Sequence, residues 1–191
     1  MSKMFKPVLQ IIVADSRPSR VGAAVGGWIA EAARAHGDFD VDVDVVDLAE
    51  AGPPLLEHPR RWSARVRRAH AFVLVTPEED DGCPAALRDA LDRLDREWWY
   101  KAVSLVAYGG VSAGPRAVQR LRQVTGALRM VPVTDTVSIP SADRYVDEDG
   151  AFRGGELVDA SAKRMLDELL LVGAPLIPLQ GGEGRTERPL T

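Results

Sequence analysis

Three short runs of apolar, largely β-branched residues constrain the fold most: Val8-Leu-Gln-Ile-Ile-Val-Ala14, Ala71-Phe-Val-Leu-Val75 and Ala102 to Ala107. A strand with one wet face alternates apolar and polar residues; these runs are nearly continuous, so they read as strands covered on both faces. Sheets covered on both sides are mostly parallel, and parallel neighbours need a crossover, usually a helix. The intervening segments supply that pattern. From Val21 to about His36, Ala24, Trp28, Ala32 and Ala35 recur at spacings of three and four before Gly37. Trp62 to His70 reads as a short helix, and Pro84 opens another with Leu87, Ala90, Leu91 and Leu94 as its apolar stripe. A helix from about Pro115 to Leu128 follows, and the last runs from Glu156 to Val172 with Leu157, Met165, Leu169 and Val172 inward.

Two further strands complete the set. Val41, Val43, Val45 and Val46 alternate with aspartates, which suits a strand near the sheet edge. Met130-Val-Pro-Val133, extended through Val137 to Ile139, is the fifth. The alternation predicts an open, doubly wound α/β sheet with ligands at the carboxyl ends of its strands. One domain is expected over residues 1–174, with a mobile C-terminal tail from Pro175 onward, where Gly, Pro and charge dominate.

Composition removes several function classes. The 191 residues carry a formal net charge of −4, which argues against phosphate neutralisation on nucleic acid. One cysteine, Cys83, excludes an internal disulfide framework and fits a reducing, cytoplasmic setting. His36, His58 and His70 lack metal-ligand spacing, so no metal site is expected. No apolar run approaches the roughly 20 residues of a membrane span, and the run after Pro7 reads as a strand rather than a leader.

Parallel topology brings the loops after strands one, three and four to one rim, and their residues carry a pattern. The first reads Ala14-Asp-Ser-Arg-Pro-Ser-Arg20, the second Thr76-Pro-Glu-Glu-Asp-Asp-Gly-Cys-Pro84, the third Tyr108-Gly-Gly-Val-Ser-Ala-Gly-Pro-Arg116. Over roughly residues 8 to 140 the chain resembles the NAD(P)H-dependent FMN reductase family. The resemblance implies a flavodoxin-like fold, with a five-stranded parallel sheet of order 2-1-3-4-5 and helices on both faces. It also implies FMN and NAD(P)H as cofactors, a small-molecule electron acceptor such as a flavin or quinone, and a homodimer or homotetramer. By the same resemblance Ser16, Arg17, Ser19 and Arg20 hold the flavin phosphate. Pro77, Glu78, Glu79, Asp80 and the backbone of Tyr108, Gly109 and Gly110 position the ring. Serine hydroxyls, arginines and N–H groups at a helix N-terminus suit an anion, and glycines let backbone approach a flat ring.

Two positions depart from that pattern. Asp15 stands where the family has a phosphate-contacting serine, and Glu79-Asp80 replaces a Tyr-Asn pair beside the ring. A carboxylate about 4 Å from a phosphate charge costs about 4 kcal/mol at an effective dielectric near 20, unless Arg17 or Arg20 neutralises it. The departures leave an alternative open: a flavin-free relative whose acidic pocket of Asp15, Glu79 and Asp80 does acid–base chemistry or binds a cation. Clustered carboxylates would raise one another's pKa values toward neutrality. The acids can equally be a solvated loop, and a non-catalytic binding module is the third possibility. Cys83 is expected to be a packed side chain rather than a nucleophile. Tyr108 either stacks on a ligand or ends its strand, and Trp98-Trp99-Tyr100 either packs beneath strand four or serves an interface.

Overall fold

The computed structural model describes residues 6–15, 17, 20–37, 40–50, 57–79 and 82–180. Ser16, Ser19, Asp80 and the segment 181–191 lie outside the described residues. Strands β1 (Val8–Val13), β2 (Asp42–Asp47), β3 (Ala71–Pro77), β4 (Ala102–Gly109), β5 (Val131–Pro132) and β6 (Val137–Pro140) form one parallel sheet. Its order is β2-β1-β3-β4-β5, with β6 also pairing β4. Between the strands run α1 (Val21–Arg34), α2 (Pro59–Arg68), α3 (Ala85–Asp92), α4 (Pro115–Ala127) and the C-terminal α5 (Glu156–Leu176).

The period of two along each buried strand divides the core into two layers. Leu9, Ile11 and Val13 of β1 and Val73 and Val75 of β3 face α1 and α5; Ile12, Phe72 and Leu74 face α2, α3 and α4. On the second face Trp98 packs edge-on against Trp62 and Phe72, with centroids 6.0 and 5.1 Å apart. The indole N–H groups of Trp62 and Trp98 donate to the carbonyls of Ala90 and Leu91, so neither ring leaves a buried donor unmet. Trp98 is therefore core, whereas Tyr100 remains 39% exposed.

The structure departs from the sequence expectation in three places. The fifth strand is two pieces: Val131–Pro132 pairs the start of β4 and Val137–Pro140 its end. Pro132 has no N–H with which to continue a ladder. The detour between the pieces is held by Ser104 Oγ, which donates to the Asp135 carbonyl, and by Glu168, which accepts from the N–H groups of Thr134 and Asp135. Second, Leu157 is 85% exposed rather than inward. The buried stripe of α5 runs through Ala162, Met165, Leu166, Leu169, Leu170 and Gly173. Four residues before Ala162 stands Val158, which takes the core-facing position instead. Third, α5 does not stop at 172: it continues through Pro175 to Leu176, a 3₁₀ turn spans Ile177–Leu179, and Gln180 donates to the carbonyls of His70 and Tyr100.

Candidate functional site

The parallel register aligns the carboxyl ends of β1, β3 and β4: Val13 pairs with Val75, and Pro77 with Tyr108. Their loops are stitched together by backbone, with Ala14 N–H donating to the Val75 carbonyl at 2.9 Å and Glu78 N–H to the Tyr108 carbonyl at 2.7 Å.

In the first loop, Asp15 points inward. Its side chain has no exposed surface, and both carboxylate oxygens are engaged. Oδ1 accepts from the Arg17 N–H at 3.0 Å and Arg17 Nε at 2.8 Å. Oδ2 accepts from Arg17 Nη2 at 3.1 Å, the Gly22 N–H at 3.0 Å and the Tyr108 hydroxyl at 2.7 Å. Burial alone would raise the pKa of this carboxyl, but the Arg17 guanidinium, the Tyr108 hydroxyl and the two backbone donors outweigh it and hold the group at about 2. The same contacts raise the pKa of Arg17, while burial and the bond to Asp15 raise that of Tyr108. Arg17 also lies over the Tyr108 ring, 5.4 Å from its centroid. Gly22 is required here, since a Cβ would stand 2.3 Å from the Asp15 Cβ and 2.6 Å from the Tyr108 hydroxyl.

This geometry corrects the expectation for Asp15 as an acid or base near neutral pH. The neighbours that matter are donors rather than other carboxylates, so its pKa moves down. It also answers the repulsion expected between Asp15 and a phosphate, because Arg17 forms the ion pair that neutralises it. Arg20, expected at the phosphate, caps α1 in the left-handed region (φ 54°) and turns its guanidinium to Asp47 at 2.8 Å and Glu50 at 2.6 Å.

The second and third loops are joined by a different pairing. Glu78 accepts from Ser112 Oγ at 2.9 Å, from the Arg116 N–H at 3.0 Å, and from Arg116 Nη2 at 3.0 Å. Burial pushes the Glu78 carboxyl up, but these donors lower it below the usual carboxylate range. Gly114 (φ 89°) starts α4, where a Cβ would lie 2.7 Å from that of Ala107. Gly109 sits against the Glu78 Cβ, while nothing lies within 4 Å of a Cβ placed on Gly110. Pro77 ends β3 buried, and Glu79 is half-buried. Tyr108 is 2% exposed; it ends its strand beneath Arg17 and does not present its ring face.

Of the predicted residues, Asp15, Arg17 and Tyr108 thus form one cluster, and Pro77, Glu78, Gly109 and Gly110 meet beside it. Arg20 turns away to the end of β2. Gly22, Ser112 and Arg116 were missed as site residues. Gly22 carried a signal, being a glycine in the first turn of a helix, where it weakens the helix unless close packing demands it. Ser112 and Arg116 stood within the third motif without an assigned partner.

Other candidates lie off this rim or carry no reactive group. Burial pushes the Cys83 thiol up to about 11, which suits a packed side chain. His70 Nδ1 accepts from the Val8 N–H at 3.0 Å, and its pKa is lowered by burial and by the Lys101 charge. Lys101, 3% exposed, donates to the Val66 and Arg67 carbonyls at the end of α2, and burial brings it down to about 8. An apolar groove of about 180 Å³ between β1 and α5, lined by Val8, Leu9, His70, Leu169 and Leu170, shares no residue with the three loops. Among the described residues no cluster of acids, histidines and cysteine has metal-site geometry, and no helix is long and apolar enough to cross a membrane.

Comparison with known proteins gives the family. The model of the NADPH-dependent FMN reductase family matches residues 8–144. An NAD(P)H-dependent FMN reductase of Schizosaccharomyces pombe is 32% identical over 149 residues, covering 70% of this chain and 74% of that protein. Another, from Nectria sp, is 24% identical over 172 residues, covering 81% and 85%. Among solved structures, the apo form of an NADH:FMN oxidoreductase superposes with a TM-score of 0.71 at 15% identity, over 87% of this chain and 89% of its own. A Streptococcus pneumonia flavodoxin does so at 0.59 and 15%, over 86% and 98%, which places the fold as flavodoxin-like. With the family model covering most of the chain and all three loops, this protein belongs to the NADPH-dependent FMN reductase family.

Proposed function

We propose that this chain is a reductase that takes hydride from NADH or NADPH and delivers it, by way of flavin, to a flavin, quinone or other small acceptor. The observation that carries the reading is the family match across residues 8–144, which spans all three rim loops. A bound flavin supplies the ring that accepts and donates hydride. The protein supplies placement. Pro77 and Glu78, with the backbone of Gly109 and Gly110, form the ring end, and the open side of Gly110 admits a flat ligand. Glu78 does not bring an uncompensated charge there, because Arg116 and Ser112 engage its carboxylate. The Tyr108–Asp15–Arg17 cluster fixes the backbone beneath that ring end. Glu79 and Asp80 complete the second loop's contribution.

The same reading places the protein in the cytoplasm as a homodimer or homotetramer. The test is direct: purified protein with NADH or NADPH should oxidise the nicotinamide when FMN is added and not in its absence. No oxidation with either nicotinamide, at any flavin concentration, contradicts the reading.

A further inference from the structure

Asp15 occupies the place an anion would take. Its carboxylate accepts from two backbone N–H groups, those of Arg17 and Gly22, and from the Arg17 guanidinium through two nitrogens. Gly22 belongs to the first turn of α1, whose N-terminus favours negative charge. This is the donor set that a helix N-terminus with a nearby arginine offers a phosphate, and here the protein's own carboxylate fills it. The cations of the first loop are committed as well. Arg17 is paired with Asp15, and Arg20 with Asp47 and Glu50, so two guanidiniums face three carboxylates. Arg17 remains 44% exposed and keeps N–H donors for a ligand, but it brings no net charge to one. A phosphate monoester carries a charge of about −1.5 to −2 near neutral pH. The described side chains of this loop therefore offer it no net positive charge. At the ring end Glu78 is paired with Arg116 and Gly110 is open.

We propose that this protein recognises flavin through its ring and not through its 5′-phosphate. Riboflavin and FMN are then near-equivalent ligands, and Asp15 is the residue that sets this indifference. The inference rests on the reductase reading above and names the substrate class of that site: flavins with or without a phosphate.

The experiment is a pair of fluorescence-quenching titrations, riboflavin and FMN, on the purified full-length protein, repeated with Asp15→Asn and Asp15→Ser. The wild type should bind the two flavins with dissociation constants within about tenfold of each other. Freeing Arg17 from its carboxylate should shift the ratio of the two dissociation constants toward FMN by at least about tenfold. Asn keeps the shape of Asp15 and guards against a folding failure of the Ser variant. A wild type that prefers FMN by more than tenfold, or a ratio that neither variant moves, overturns the proposal. A folded wild type that binds neither flavin instead overturns the reductase reading itself, so the two failures are distinct.

Discussion

In the first loop the Arg17 guanidinium, the Gly22 N–H and the Tyr108 hydroxyl all turn onto the buried Asp15 carboxylate. In the third, Ser112 and Arg116 reach an acid of the neighbouring loop, and Gly110 faces open space. Both arrangements pair a carboxylate with an arginine, yet their energetic consequences differ. In the first the Asp15 carboxylate is fully enclosed and Arg17 is 44% exposed, so leaving that carboxylate unpaired is costly. The second has an Arg116 side chain 69% exposed, where water and salt screen the pair. The lesson is that the ion pair within the first loop acts as structure, whereas the pair between the second and third loops positions a loop at little energetic cost.

Substitutions can separate these roles, and the largest effect is expected at Gly22. Gly22→Val forces a side chain into the Asp15–Tyr108 contact and should destabilise the fold by about 3 kcal/mol or more, read as a lowered Tm. A variant that melts with the wild type would show that the first loop yields easily and that the comparison is misdrawn.

Next comes Asp15→Asn, expected to cost up to about 2 kcal/mol at neutral pH, by the linkage between a carboxyl pKa near 2 in the fold and its ordinary value when unfolded. The depressed value means that this stability is present above about pH 4 and is lost as pH falls toward 2. Denaturant titrations at pH 7, 4 and 2.5 should show the gap between wild type and variant closing on acidification. A gap that stays constant or widens removes the pKa argument.

An effect of opposite sign and comparable size is expected at the far end of the sheet. Burial lowers Lys101 to about 8, so its protonation opposes folding at neutral pH, and stability should rise as pH climbs from about 8 toward 10.5. Lys101→Met should abolish that rise in denaturant titrations; a rise that survives the substitution points to other groups.

Glu78→Ala and Arg20→Ala should change stability least, each by under about 1 kcal/mol, since their partners are partly exposed. They should differ in function. Glu78→Ala should raise the KM for flavin by loosening the third loop, and Arg20→Ala should leave it nearly unchanged. Equal KM effects from the two would erase the distinction between the ends of the site.

The sheet and the convergence of three loops were legible because burial on both faces leaves a local signature: Ile11, Val73 and Val106 stand in runs without polar alternation. Parallel connectivity then dictates which loop ends meet. The inside of the site was less legible. The Tyr108 hydroxyl that fixes Asp15 comes from 93 residues away, and nothing local to Ala14-Asp-Ser-Arg tells an inward carboxylate from an outward one. The four acids of the second loop suggested mutual repulsion, but Glu78 finds Arg116, 38 residues on. Leu157 misled for a simpler reason: one residue of helical phase moves a side chain by about 100°, and Val158 holds the inward phase.

The central claim is that the site's own carboxylate takes the place of the flavin phosphate, and the phosphate itself can report on it. A ³¹P NMR titration of protein-bound FMN follows the second ionisation of the phosphate, which lies at about 6 for a monoester in water. The account predicts that the bound phosphate titrates near that value, as a group facing no net positive charge. A bound phosphate that stays dianionic to pH 5 or below would mean that donors of the site hold its charge, and would contradict the account.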